Sequence, residues 1–142
     1  MTSVWGPIAW KLFHGMGARA GRGPEKLKKD EEREILWLIR NMESIIPCEE
    51  CRKHIGAYKK ECMPRSSEEI GGWIWTFHEE VNKRLGKPEG PPFTKTLGET
   101  TDLQETWKEY NTILKKELLV GNCRSEFVAN WKRHFNLWRT FL

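Results

Sequence analysis

Apolar residues recur at intervals of three and four along nearly the whole chain, a rhythm that suits helices and leaves little room for strands. Glycine and proline cut this rhythm into segments. The first helix is predicted from Trp5 to Ala20, capped by Ser3 or Thr2, with Pro7 in a first turn where a missing N–H costs nothing. Gly21, Gly23 and Pro24 interrupt. A second helix follows from about Asp30 to Ser44, with Glu31 and Glu32 in its first turn and a stripe of Ile35, Leu36, Leu38, Ile39 and Met42. Pro47 opens a third, about Cys48 to Glu61, which Pro64 ends. A fourth runs from about Glu68 to Leu85 and stops at Gly86; Gly71 and Gly72 near its start let a neighbour approach closely. Residues 87–101 read as a loop rich in Pro and Gly. Thr101 or Asp102 caps a fifth helix that reaches about Lys116. A last amphipathic helix, Ser125 to Phe141, has Phe127, Val128, Trp131, Phe135 and Trp138 on one side. At 142 residues this is one all-α domain: a four-helix bundle with one or two additional C-terminal helices.

Eight tryptophans are many for such a chain. Large rings fill a core, or they wall a flat cofactor, and composition does not separate the two. The net charge of +4 is spread along the chain and is too mild to argue for nucleic acid. Signs alternate from Lys26 to Glu34, which reads as a solvated face. The one basic concentration is Arg124, Lys132, Arg133 and Arg139, set among aromatics. No run approaches the roughly 18 apolar residues of a membrane helix, so no membrane partner is expected. The N-terminal residues lack the pattern of a signal peptide, which points to the compartment of synthesis. Four cysteines in that setting suggest chemistry or metal more than a structural framework.

The chemistry concentrates at Cys48-Glu-Glu-Cys51, preceded by Pro47 and followed by a helix. Two cysteines so spaced can close an easily exchanged disulfide. The N–H groups of a helix start favour the thiolate that exchange requires, although two intervening glutamates oppose it. A second reading stays open on spacing alone: Cys48, Cys51, His54 and Cys62 are chemically a set of four zinc ligands, which would make the chain a zinc-stabilised helical adaptor. A thioredoxin-like site needs strands before the motif, and the preceding segment reads as helix. His78-Glu79-Glu80-Val81-Asn82 begins like a zinc protease signature, but Asn82 stands where the second histidine belongs. The spacing instead puts His78, Asn82 and Leu85 on one helix face. Trp10 and His14 share a face of the first helix, one turn after Gly6. Such polar groups on an inner face need partners, which a buried polar ligand or plain core neighbours would supply. No glycine-rich dinucleotide loop is present in the sequence.

Three blocks now combine: Trp5-Gly-Pro-Ile-Ala-Trp10-Lys-Leu-Phe-His14, then Pro47-Cys-Glu-Glu-Cys51, then His78-Glu-Glu-Val-Asn82-Lys-Arg-Leu-Gly86-Lys-Pro88. In that order they resemble the Erv/ALR family of sulfhydryl oxidases, most of all the versions encoded by large DNA viruses such as iridoviruses. The resemblance implies a four-helix bundle holding FAD, and a thiol oxidase that makes protein disulfides. Cys51 would pass electrons to the flavin, Cys48 would meet the incoming thiol, and O2 would leave as hydrogen peroxide. Gly6, Trp10, His14, Cys51, His78, Glu79, Asn82, Leu85 and Lys87 would bind FAD, with Trp107 near the adenine end. It also implies thiol-containing protein substrates, a homodimer, and a place in the infected host cell's cytoplasm and the virion. The flavin-binding bundle would span about 3–115 and a C-terminal helical extension about 116–142.

The chain departs from the family at three places. His78-Glu79 replaces the usual His-Asn. Glu89-Gly-Pro-Pro stands where cellular members often place a cysteine. Residues beyond about 110 match nothing in the family pattern. Cys62 and Cys123 are left open: paired with each other, relaying electrons to Cys48, or free.

Overall fold

A computed structural model describes residues 4–142, and among them all regular structure is helical. Six α-helices follow in order: α1 (Trp5–Arg19), α2 (Lys28–Arg40), α3 (Glu49–Glu61), α4 (Ile70–Arg84), α5 (Leu103–Leu119) and α6 (Ser125–Thr140). Short 3-10 turns, Glu25–Leu27, Met42–Ile45 and Ser67–Glu69, lead into or out of α2 and α4. The expected second helix therefore ends at Arg40, and the rest of its span tightens into a 3-10 turn that aims the chain at Pro47. The expected cap at Ser3 or Thr2 lies outside the described residues. Asp102 does cap α5, its carboxylate accepting from the Glu105 N–H at 3.0 Å.

Helix α1 packs against both α4 and α5, while α6 lies along α2. The α1–α4 contact depends on glycine, because a Cβ on Gly17 would come within 2.9 Å of the Gly71 Cα. At the other end of α4, Gly86 takes a positive φ of 70°, which stops the helix where the sequence predicts.

The C-terminal helices are core, not trim. Tyr110, Trp131, Phe135 and Trp138 are each fully buried, and the Tyr110 hydroxyl donates to the Ile45 carbonyl. Phe127 departs from the expected buried stripe and is 48 % exposed. The expected solvated face at Lys26 to Glu34 is also corrected. Glu31 and Glu34 are buried because α6 covers them and supplies partners. Glu31 accepts from the Gly21 N–H, the Ser67 hydroxyl and the Trp138 indole N–H, and Glu34 meets His134 Nδ1 at 2.6 Å. A buried carboxylate is tolerable only with such a set of donors.

Candidate active site

Cys48 and Cys51 are joined by a disulfide at the head of α3. Cys48 keeps an extended backbone and caps the helix, its sulfur accepting from the Cys51 N–H at 3.2 Å. When the bond opens, the helix N-terminus favours negative charge on the Cys48 sulfur. Glu49 and Glu50 oppose this, but their side chains are 78 % and 77 % exposed, so water and salt screen them.

The disulfide forms part of the wall of a cavity of about 550 Å³. Helix α1 contributes Trp5, Ala9, Trp10 and Phe13; α4 contributes Phe77, Val81 and Arg84, with Leu85 and Lys87 just beyond. Met42 and Ile46 close the side from which the chain enters α3. The lining is mostly apolar, with exposed Arg84 and Lys87 adding positive charge.

A pair of histidines stands against this wall. His14 Nε2 and His78 Nδ1 are 2.9 Å apart, and the His78 ring stacks on Trp10 with centroids 3.9 Å apart and planes 7° from parallel. Burial, helped by the neighbouring His78, lowers the His14 pKa from 6.5 to about 4. Burial lowers that of His78 too, against the raising effect of Glu79. Both rings are neutral at pH 7. One N–H serves their mutual contact, so the pair retains one N–H donor and one ring acceptor.

Of the residues singled out from sequence, Trp10, Cys48, Cys51, His54, Leu85 and Lys87 line the cavity. His14 and His78 join it through Trp10. Gly6 is buried in the first turn of α1, one turn before Trp10. Asn82 is half-buried on α4, and its carbonyl accepts from the Lys87 N–H at 2.8 Å, which fixes Lys87 beside the cavity. Glu79 instead accepts from the Gly90 N–H at 3.0 Å and so holds the loop that follows α4. Trp107 sits in the other aromatic cluster, with ring centroids 4.7 Å from Phe135 and 5.7 Å from Trp131. Among the cavity residues that sequence reasoning missed are Met42, Ile46, Ile55, Phe77, Val81 and Arg84. The α4 members were findable, since 77, 81 and 84 continue the face that already holds Leu85.

The zinc arrangement is not assembled. Helix α3 runs unbroken to Glu61, so Cys62 lies about 16 Å along the axis from Cys51. Cys48 and Cys51 are bonded to each other, and no three His, Cys, Asp or Glu side chains gather as a metal site among the described residues. Cys62 and Cys123 are both free, the first exposed at the end of α3, the second half-buried between α5 and α6.

The family model described as Erv1/Alr matches residues 7–108. An FAD-linked sulfhydryl oxidase of African swine fever virus (isolate Pig/Kenya/KEN-50/1950) is 29 % identical over 131 residues, covering 89 % of this chain and 95 % of the viral protein. The mitochondrial FAD-linked sulfhydryl oxidase ERV1 of Saccharomyces cerevisiae is 34 % identical over 85 residues, 58 % of this chain and 43 % of the yeast protein. Sulfhydryl oxidase 1 of Gallus gallus is 30 % identical over 132 residues, 80 % of this chain and 17 % of the bird protein. No solved structure matches the chain.

Proposed function

The chain belongs to the Erv1/Alr family, and from that premise we propose how its residues divide the work of an FAD-linked thiol oxidase. The enzyme takes electrons from substrate thiols and uses FAD. What supports the assignment of Cys48 and Cys51 is one observation: their disulfide caps a helix and at the same time walls a mostly apolar cavity.

The cavity suits FAD. Its volume lies within the usual range for a bound cofactor. Trp10 and Phe77 offer flat apolar faces, the neutral histidine pair offers a donor and an acceptor, and Arg84 and Lys87 offer charge that a diphosphate needs. Gly6, Trp10, His14, Cys51, His78, Glu79, Asn82, Leu85 and Lys87 would hold it, with Glu79 acting through the loop it anchors. FAD, when bound, supplies a two-electron acceptor for a dithiol and a route to the final oxidant.

The protein's own residues perform the exchange. A substrate thiolate attacks the Cys48 sulfur, the Cys48–Cys51 bond breaks, and Cys51 leaves as a thiolate. A second substrate thiolate attacks the substrate sulfur of the mixed disulfide, and Cys48 leaves. The Cys51 N–H and the α3 N-terminus stabilise the charge on that leaving sulfur. The substrate dithiol has become a disulfide, and Cys48 and Cys51 hold its two electrons. With dioxygen as the final acceptor, two thiols and O2 give one disulfide and one hydrogen peroxide.

The same reading takes protein thiols as the substrates and the homodimer as the working form. It treats 3–115 as the flavin unit and 116–142 as its support. The viral relatives favour the infected host cell and the virion as its location. The direct test is the absorbance of the purified protein between about 300 and 600 nm, followed by a dithiol without oxygen. A flavin band that bleaches in the parent but persists in Cys51→Ser supports the assignment. Equal bleaching in both overturns the role of Cys51.

A further inference from the structure

The first turns of α3 have two faces, and only one belongs to the cavity described above. Cys48, Glu50 and Cys51 line that cavity. Glu49, Arg52 and Lys53 line a second cleft of about 670 Å³, whose other lining includes Cys123 and Arg124 of the α5–α6 turn and Phe127 at the start of α6. Glu49, next in sequence to the cysteine that meets the substrate, is thus part of the cleft wall.

Its frame is fixed by hydrogen bonds. The Arg52 guanidinium donates to the Ile46 carbonyl at 2.7 Å and to the Asn122 carbonyl at 3.0 Å, tying the approach to Cys48 to the α5–α6 turn. Lys59 donates to the Arg40 carbonyl and to the Glu43 carboxylate. The charge balance is positive. Arg40, Arg52, Lys53 and Arg124 line the cleft against Glu43 and Glu49. Lys59 neutralises Glu43, while Lys53 lies a loose 3.9 Å from Glu49. Exposed Arg40 and Arg124 have no carboxylate partner among the described residues. Arg124 lies 5.4 Å from the centroid of the half-exposed Phe127 ring, so charge and an apolar face occur together.

We propose that this cleft docks the substrate polypeptide, and that it selects thiols flanked by acidic residues. The inference rests on the thiol-oxidase reading, with Cys48 as the entry point. From Cys48 to Lys53 helix α3 rises about 7.5 Å. Extended peptide covers that in two to three residues. The matching substrate therefore carries Asp or Glu from two to three positions away from its reactive cysteine, where its carboxylates enter the cleft that Arg40 and Arg124 line. Electrostatic steering into a basic cleft raises the encounter rate and falls with salt.

The test uses the full-length flavoprotein and two peptide dithiols of equal length and cysteine spacing, one flanked by glutamates and one by lysines, with dithiothreitol alongside. Oxygen consumption gives kcat/KM for each. The glutamate peptide is expected to be favoured by about tenfold at low salt, the effect of two ion pairs at the cleft. Added salt shrinks that preference. The surface double variant Arg40→Gln/Arg124→Gln brings the ratio to about one, and Arg40→Glu/Arg124→Glu inverts it. Equal kcat/KM for the two peptides in the parent, or a preference that survives both double variants, overturns the docking proposal. Failure of the parent to oxidise even dithiothreitol would instead sink the thiol-oxidase reading.

Discussion

Two parts of this molecule are built from the same kit. At the cavity Trp10 stacks on His78 at 3.9 Å, and along α2 and α6 Trp37 stacks on His134 at 3.6 Å. The rings are alike; their polar edges differ. His134 meets the buried carboxylate of Glu34, the Trp138 indole meets Glu31, and the Trp131 indole donates to the Leu38 carbonyl at 3.1 Å. Every one of those edges ends on protein, and Trp131, Phe135 and Trp138 close-pack with no exposed surface. Among the described residues the His78 ring bonds to another histidine of lowered pKa and to no carboxylate or carbonyl, and the ring it stacks on faces open space. Tryptophan content therefore says little about a cofactor site. A site is marked by aromatic faces beside a void, with hydrogen-bonding edges that protein leaves free.

The sharpest way to break that comparison is at the sulfur. Cys51→Ser is expected to lower dithiol-dependent oxygen consumption by about a thousandfold or more, the scale of losing a reacting group, with flavin still bound. No change at the aromatic cluster of α5 and α6 should do this without unfolding the protein. Next come the tryptophans. Trp131→Ala removes a fully buried ring and its bond to Leu38, and is expected to cost about 3–5 kcal/mol in denaturant unfolding. Trp10→Ala is expected to cost about 1–2 kcal/mol, mostly the stacking on His78, while most of the flavin is lost. If Trp10→Ala keeps its full flavin content, the cavity is misassigned.

Legibility followed the same divide. The helices were readable because Gly and Pro punctuate a regular apolar rhythm, and five of the nine residues proposed for FAD, Trp10, Cys51, Leu85, Lys87 and His78, line the cavity or stack on its wall. What sequence could not give was the direction of a charge. Glu31 and Glu34 sit in a run of alternating signs that looks solvated, and the packing of α6, about a hundred residues further on, buries them, with Gly21 and Ser67 also closing on Glu31. Glu79 follows His78 directly, yet its carboxylate turns to Gly90 because the loop after α4 offers it an unpaired N–H. Such partners are non-local and leave no local pattern. The Phe127 misreading has the reverse cause: it fits the helical stripe, but the α5–α6 turn leaves its side of α6 uncovered.

A smaller test sharpens the closed half. Glu34→Gln keeps the shape but weakens the contact to His134, and is expected to cost about 1–2 kcal/mol, since the histidine side chain is partly exposed at 28 %. Thiol oxidation by the folded fraction should not change. A fall in turnover beyond the lost stability would mean that the two halves are coupled, and the division drawn above would fail.

The remaining prediction concerns protons. Folded His14 has a pKa of about 4 against its ordinary 6.5. Between those values the unfolded chain binds a proton that the folded chain refuses, so this residue makes stability fall as pH drops from about 6.5 towards 4. Replacing it by Asn removes that contribution. The measurement is Tm for the parent and His14→Asn at pH 7, 6 and 5, above the range where most carboxylates titrate. The parent should lose more Tm than the variant over that interval. Equal losses would mean that His14 charges freely in the folded protein, and hence that the cavity edge does not hold the neutral pair on which its fitness for a flat cofactor depends.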